Sequence, residues 1–290
     1  MTIKKNDLIS IIIPAYNEAD SIHGVLEDIR KGFDSRKVEI LVIDDGSTDQ
    51  TAEIAERGGA KVIQHLHNKG YGASLKSGIR AADGQFVLFM DADGQHRAVE
   101  ALKLIDAFSS KPADMVVGQR SRLMHSPMWR MPGKWALGWM ANYLTRRRIP
   151  DLNSGLRLIN REVVTRYMDL CPNGFSFSTT ITMVLIHRGY EVLYVPFEIN
   201  KRKGKSTVSL STGLDTLLLI LRIATLIDPL RIFVPLSLLI AFVGIAWGIP
   251  YALMGNGISI GSMLAIVTAI LLFSIGLISD QISQLRLEKM

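Results

Sequence analysis

Phe86-Val87-Leu88-Phe89-Met90-Asp91-Ala92-Asp93-Gly94-Gln95 is a run of five apolar residues that breaks abruptly into a carboxylate-bearing loop. A short apolar run closed by turn residues reads as a strand buried on both faces. Working outward, the same pattern recurs at residues 8–13, 38–43, 61–64 and 115–117, all short and mostly β-branched. Between these runs, residues 19–33, 48–57, 72–82 and 98–108 space their apolar side chains helically. Strand and helix alternating at this pitch predict an α/β fold, a parallel sheet with helices on both faces. In open sheets of that kind ligands bind outside the carboxyl ends of the strands, so chemistry-bearing residues are expected just after them.

They are there. Pro14-Ala15-Tyr16-Asn17-Glu18 follows the first strand, Asp44-Asp45-Gly46-Ser47 the second, and Asp91-Ala92-Asp93-Gly94-Gln95 the fourth. Any one of these could be loop chemistry, since Asp45 or Ser47 can cap the next helix. Three on one edge indicate a site. A pleat or tight turn would bring Asp91 and Asp93 to one cation, with Gln95 as a neutral oxygen ligand. Two carboxylates and an amide suit Mg²⁺ or Mn²⁺, which shares its remaining positions with water and a diphosphate.

Charge and hydrophobicity are distributed unevenly along the 290 residues. There are 33 Lys and Arg against 27 Asp and Glu, a net charge of +6, with 48% apolar residues and one cysteine, Cys171. This content excludes a disordered or collagen-like chain. A single cysteine excludes a disulfide framework and a cysteine-based zinc site, and fits a reducing, cytosol-facing protein. The opening segment has no apolar h-region, so no signal peptide is expected. Residues 1–117 carry a net −4, whereas 118–166 carry +8. Residues 232–279 contain no Asp, Glu, Lys or Arg in 48 positions. As one helix that run would be about 72 Å long, more than twice a hydrocarbon core of about 30 Å, so it must cross twice if it lies in a membrane.

Gly255-Asn256-Gly257 supplies the turn, leaving spans at 232–254 and 258–279. Lys201-Arg202-Lys203-Gly204-Lys205, Arg222 and Arg231 precede the first span, Arg286 and Lys289 follow the second, and the turn is uncharged. By the positive-inside rule both ends are cytoplasmic. Residues 210–231, apolar but interrupted by Asp215 and Arg222, read as interfacial helix. The expected organisation is a cytoplasmic catalytic domain at 1–209, the interfacial segment, a multi-pass membrane hairpin at 232–279 and a cytoplasmic tail at 280–290.

These motifs, with Asn68-Lys69-Gly70-Tyr71-Gly72 and Asp151-Leu152-Asn153-Ser154-Gly155-Leu156-Arg157, resemble those of the inverting glycosyltransferases of family two, and within them the polyprenyl-phosphate glycosyltransferases typified by dolichyl-phosphate mannose synthase. The resemblance runs from Ser10 to the end of the chain. It implies the GT-A nucleotide-diphosphosugar transferase fold, and that Pro14, Tyr16, Glu18 and Asp45 hold the donor base and ribose. It implies that Asp91, Ala92 and Asp93 contact the donor diphosphate or its metal, with Asp91, Asp93 and Gln95 as ligands of Mg²⁺ or Mn²⁺. Arg120 and a basic residue near Arg130, with Lys134, Ser154, Arg202 and Lys205 as further candidates, would hold the acceptor phosphate. Arginine suits this task because its planar fork can bond two phosphate oxygens. The resemblance also implies a homo-tetramer; membrane lipids are expected partners and nucleic acid is not.

Residues 121–139 interleave Arg122, Arg130 and Lys134 with Trp129, Trp135, Trp139 and several methionines, as suits an interfacial element. Arg146-Arg147-Arg148 reads either as a solvated basic face or as a site of attraction for anionic headgroups. The acceptor half lacks the Glu-Asp base motif of family members that glycosylate hydroxyls, and the Gln-x-x-Arg-Trp motif of processive synthases. A phosphate monoester, with a second pKa of about 6, is already an ionised nucleophile. Asp151 could then orient an arginine or act as base. Lys201 to Thr207 departs from the family's Arg-x-x-Gly-x-Ser-Lys pattern, with lysine first and threonine last. His65, His67 and His96 read as surface groups or supports behind the site. Competing readings are transfer to another membrane lipid or glycan, or a silent membrane-anchored nucleotide-sugar binding module. A dinucleotide-binding oxidoreductase fails because Leu75 stands where a third glycine is needed.

Overall fold

The computed structural model describes residues 3–120, 131–198, 213–255 and 257–288. The chain divides into two compact units, Met1–Leu210 and Ser211–Met290. In the first, a seven-stranded sheet has the order β3-β2-β1-β4-β6-β5-β7, with β1 Ile9–Ala15, β2 Val38–Asp44, β3 Lys61–Gln64, β4 Phe86–Phe89, β5 Met115–Arg120, β6 Arg157–Asn160 and β7 Val192–Phe197. The first five coincide with the apolar runs to within a few residues. β6 and β7 are additional, and β6 runs antiparallel to both β4 and β5, so the sheet is mixed rather than wholly parallel. β7 lies at the sheet edge, where Pro196 is tolerated because a proline cannot donate to a second neighbour.

Helices cover both faces. α1 Ala19–Gly32 packs against α2 Thr51–Arg57 and α4 Ala98–Ser110. Ile22, Leu26 and Ile29 of α1 recur every three or four residues and meet Leu104, Ile105 and Phe108 of α4 in a core with Ile9, Ile11 and Ile13 of β1. On the other side lie α3 Tyr71–Ala81, α6 Arg161–Tyr167 and α7 Phe177–His187, with α5 Met131–Thr145 against α7. α7 is buried all round, from Phe177 to Ile186, so it shows no polar stripe in sequence. α6 starts cleanly because the Asn160 side chain accepts from the amides of Glu162 and Val163. On α5, Trp139 and Tyr143 are exposed and stacked at 5.6 Å.

The second unit holds α8 Gly213–Ile227, α9 Leu230–Leu253 and α10 Ile260–Glu288. α9 and α10 are long and apolar enough to cross a membrane, and only 11% and 17% of their most apolar windows are buried. At 1.5 Å per residue the 24 residues of α9 span about 36 Å. The turn between them uses Gly255 and Gly257 at positive φ. The two helices approach closely where Ser262 Oγ donates to the carbonyl of Gly244 at 2.6 Å. α10 does not stop at Ser279: the expected tail continues it as helix to Glu288.

Candidate active site

β1, β2, β4 and β5 are parallel or reach parallel order through the sheet, and the chain enters antiparallel β6 at their carboxyl edge. Arg157, the first residue of β6, is in register with Phe89 of β4 and Val117 of β5. The loop 151–156 is therefore delivered among the loops that follow β4 and β5. One edge collects Pro14, Tyr16 and Glu18, then Asp45, then Asp91 to Gln95, then Arg120, Asp151 and Ser154.

The first two loops are stitched together. Asn17, at φ 55°, donates its amide to Ser47 Oγ at 2.9 Å and accepts from the Thr48 amide at 2.8 Å. The Glu18 amide donates to Thr51 Oγ1 at 2.8 Å, and the Ala19 amide to Asp49 at 3.2 Å. Burial raises the Asp49 pKa, but hydrogen bonds from Thr51 and Ala19 outweigh it and hold the carboxyl below its usual range. Pro14, Tyr16 and Glu18 are half-buried. Asp45 is buried and already engaged: Oδ1 meets His65 Nδ1 at 2.7 Å and the Lys69 amide at 2.9 Å, and Oδ2 accepts from the Gly70 amide at 2.8 Å. Of about four lone-pair positions on a carboxylate, one is left. His65 and His96 are buried and hydrogen-bonded rather than superficial, whereas His67 is exposed.

Asp91 keeps 31% of its side chain exposed. Tyr71 donates its hydroxyl to Asp91 Oδ1 at 3.2 Å, and burial together with the Asp91 charge pushes that hydroxyl well above its ordinary pKa, so it stays a donor. The Tyr71 ring stacks on Phe175 at 5.4 Å. Gly70 and Gly72, flanking it, have no room for a Cβ against the backbone of Pro172 and Asn173. The Asp91 amide donates to His96 Nδ1 at 3.1 Å, and Asp93 Oδ1 accepts the Gln95 amide at 3.0 Å. Ala92 is buried in the core, so only its backbone is available to a donor. Among the described residues no three His, Cys, Asp or Glu gather as a metal cluster. Asp91, Asp93 and Gln95 offer oxygen donors only, a set that fits a hard cation needing further ligands from diphosphate and water.

Arg120 and Asp151 form a two-pronged pair. Arg120 Nε donates to Oδ2 at 2.7 Å and Nη2 to Oδ1 at 2.8 Å; the Arg120 and Asn153 amides add bonds at 3.3 and 3.0 Å. The Arg120 side chain is 40% exposed and that of Asp151 only 9%. Burial raises the Asp151 pKa, but the Arg120 hydrogen bonds and charge outweigh it and hold the carboxyl low. The same hydrogen bond raises Arg120, with Asp91 adding to the effect. Ser154 is buried and its Oγ lacks a hydrogen-bond partner among the described residues.

Arg130, Arg202 and Lys205 lie outside the described residues, as do Arg122, Trp129 and the stretch Lys201 to Thr207; Lys134 falls on α5 with its side chain outside them. Tyr71, Gly155 and Arg157 had no individual site role in the sequence reading. The clue to them was the spacing of two quoted motifs, Gly70-Tyr71-Gly72 and Asp151 to Arg157.

Residues 10–167 match the model for glycosyl transferase family 2, and residues 228–285 match that of the GtrB C-terminal hairpin. Glycosyltransferase AglJ of Haloferax volcanii is 29% identical, with 98% of this chain and 96% of the relative covered. The dolichyl-phosphate hexose transferase of the same organism is 29% identical over 73% of this chain and 92% of its own length. Dolichol-phosphate mannosyltransferase of Pyrococcus furiosus is 30% identical over 68% of this chain and 58% of its own. Among solved structures, glucosyl-3-phosphoglycerate synthase of Mycobacterium tuberculosis, in complex with Mn²⁺, UDP-glucose and phosphoglyceric acid, shares the fold at a TM-score of 0.62 and 20% identity, over 75% of this chain and 80% of that one. The first of these matches takes in more than half of the sequence, and the chain belongs to glycosyl transferase family 2.

Proposed function

We propose that this protein transfers a hexose from a nucleotide-diphosphate sugar to a polyprenyl phosphate, with inversion, at the cytoplasmic face of a membrane in which α9 and α10 are embedded. The observation that carries the reading is the Arg120–Asp151 pair. Both oxygens of Asp151 are occupied, each by two donors, and its carboxyl is held low, which suits an orienter and not a proton acceptor. Asp151 uses two of the five guanidinium N–H groups of Arg120, leaving a half-exposed fork for a phosphate. An acceptor that is already ionised needs alignment more than deprotonation. The dolichyl-phosphate hexose and mannosyl transferases among the relatives, and the hairpin match, support the same acceptor class.

In this mechanism Arg120 aligns the lipid phosphate, with Arg130, Lys134, Arg202 and Lys205 as further basic partners. A phosphate oxygen forms a bond to the anomeric carbon while the bond from that carbon to the donor β-phosphate oxygen breaks, and its electron pair leaves with the nucleoside diphosphate. Pro14, Tyr16, Glu18 and the remaining acceptor position of Asp45 hold the nucleoside. Asp91, Asp93 and Gln95 would hold Mg²⁺ or Mn²⁺, which when bound offsets charge on the diphosphate. Tyr71 and His96 fix the orientation of Asp91.

The test is the purified full chain incubated with undecaprenyl or dolichyl phosphate, Mg²⁺ or Mn²⁺, and GDP-mannose, UDP-glucose, UDP-GlcNAc or UDP-galactose in turn, with product mass measured. A polyprenyl-phosphate hexose is expected from one donor. Nucleoside diphosphate release without any lipid product would overturn the acceptor assignment.

A further inference from the structure

Arg157 is the largest fully buried side chain among the described residues, at 0% exposure. Its Nε donates to the Ser154 carbonyl at 2.6 Å and its Nη2 to the Leu152 carbonyl at 2.8 Å. Nη1 donates to Thr182 Oγ1 and lies 3.9 Å from Met115 Sδ. Every one of these acceptors is neutral, and among the described residues no carboxylate forms an ion pair with it. Burial lowers its pKa, opposed by Tyr194, Tyr71 and Asp151, yet an arginine stays charged inside a protein. A buried charge without a directly paired carboxylate is costly to keep.

What this cation touches accounts for its retention. The two carbonyls it grips belong to residues 152 and 154. Asp151, which holds Arg120, comes immediately before them, and Gly155, which abuts the Asp91 carboxylate, immediately after. One fork thus fixes the short segment joining the arginine side of the site to the Asp91 side. Thr182, held in turn through its own bond to the Ser178 carbonyl at 2.8 Å, braces the fork from α7.

We infer that Arg157 is a positioning residue for the transfer: its fork, gripping the carbonyls of Leu152 and Ser154, sets the distance between the Arg120–Asp151 pair and Asp91. The inference rests on the reading given under Proposed function. Lysine keeps the charge but cannot grip two carbonyls as a planar fork, whereas methionine loses both.

The experiment is steady-state kinetics of full-length wild type, Arg157→Lys and Arg157→Met with the active donor and undecaprenyl phosphate, alongside thermal melting. Arg157→Lys should lower kcat by about 100-fold, the cost of misplacing reacting groups by about 1 Å, with both KM values near wild type. Arg157→Met, which also lacks the fork, should lose kcat by a similar factor, again with both KM values near wild type. Wild-type kcat and KM in either folded variant would overturn the inference, as would equal losses of kcat, KM and melting temperature in both, which would mark support of the fold only. If Arg157→Met does not fold, Arg157→Lys and Thr182→Val decide, since both should lower kcat at unchanged KM, and wild-type kcat in either overturns the proposal. Absence of lipid product from wild type with every donor would instead overturn the underlying reading.

Discussion

Gly155 lies against the carboxylate of Asp91 so closely that a Cβ at position 155 would overlap its oxygens. The residue that completes the loop of Asp151 thereby sets the floor under the first acid of the Asp91-Ala92-Asp93 motif. Gly155→Ala should displace one or the other. Turnover should fall by about 100-fold, while stability changes by about 1–3 kcal/mol, the usual cost of overpacking. Single-turnover kinetics and thermal melting of the same preparation separate the two; unchanged turnover would mean that the Asp91 position is not critical.

The Asp151 carboxyl is held low by Arg120, and this sets its pH dependence. A depressed native pKa adds stability above the unfolded value of about 3.9 and loses it as pH falls through the native value. Asp151 therefore stays ionised across neutral pH and contributes no inflection there. The rate should fall on the acid side only as the acceptor phosphate protonates, near pH 6. Asp151→Asn should reduce turnover by about tenfold or more through loss of the charged pair, without moving that inflection. An inflection that vanished in the variant would identify Asp151 as a base.

Asp91→Ala should abolish transfer and leave a folded, membrane-bound protein, and chelation of divalent cations should do the same to wild type. Readdition of Mn²⁺ or Mg²⁺ should restore the chelated wild type and not the variant. Wild-type turnover by Asp91→Ala would remove the metal assignment.

Asn160 is a control at a distance from the chemistry. Its side chain accepts from the amides of Glu162 and Val163 at the start of α6. Asn160→Ala should cost about 0.5–2 kcal/mol of stability, measured by denaturant titration of the catalytic unit within the full chain, with KM unchanged. A loss of activity larger than the loss of folded protein would tie α6 to the site.

The elements read correctly from sequence are those whose local pattern is sufficient. β3 at Lys61–Gln64 and β2 from Val38 follow from β-branched runs, and α1 and α4 from helical spacing of Ile22, Leu26, Leu104 and Phe108. Asp45 follows β2 and Asp91 closely follows β4, so both were legible as site candidates from their place after a strand, whereas Arg120, the last residue of β5, was a candidate through the family resemblance. α7 was not legible, because a helix buried all round has no polar stripe to show its period. β6 is four residues beginning with arginine, and β7 contains a proline, so neither has the signature of a strand.

By itself the sequence determined an α/β domain with carboxylates after its strands, a basic stretch beyond it, and a charge-free pair of apolar segments. These are matters of composition and short-range periodicity. Only the tertiary structure decided that β6 inserts antiparallel between β4 and β5, because strand order depends on contacts across most of the domain and leaves no mark in the local pattern. That insertion carries Asp151 to Arg120, Gly155 to Asp91, and the buried Arg157 fork behind both. The chemistry of the site was written in residue types; which of them meet was fixed by the direction of one four-residue strand.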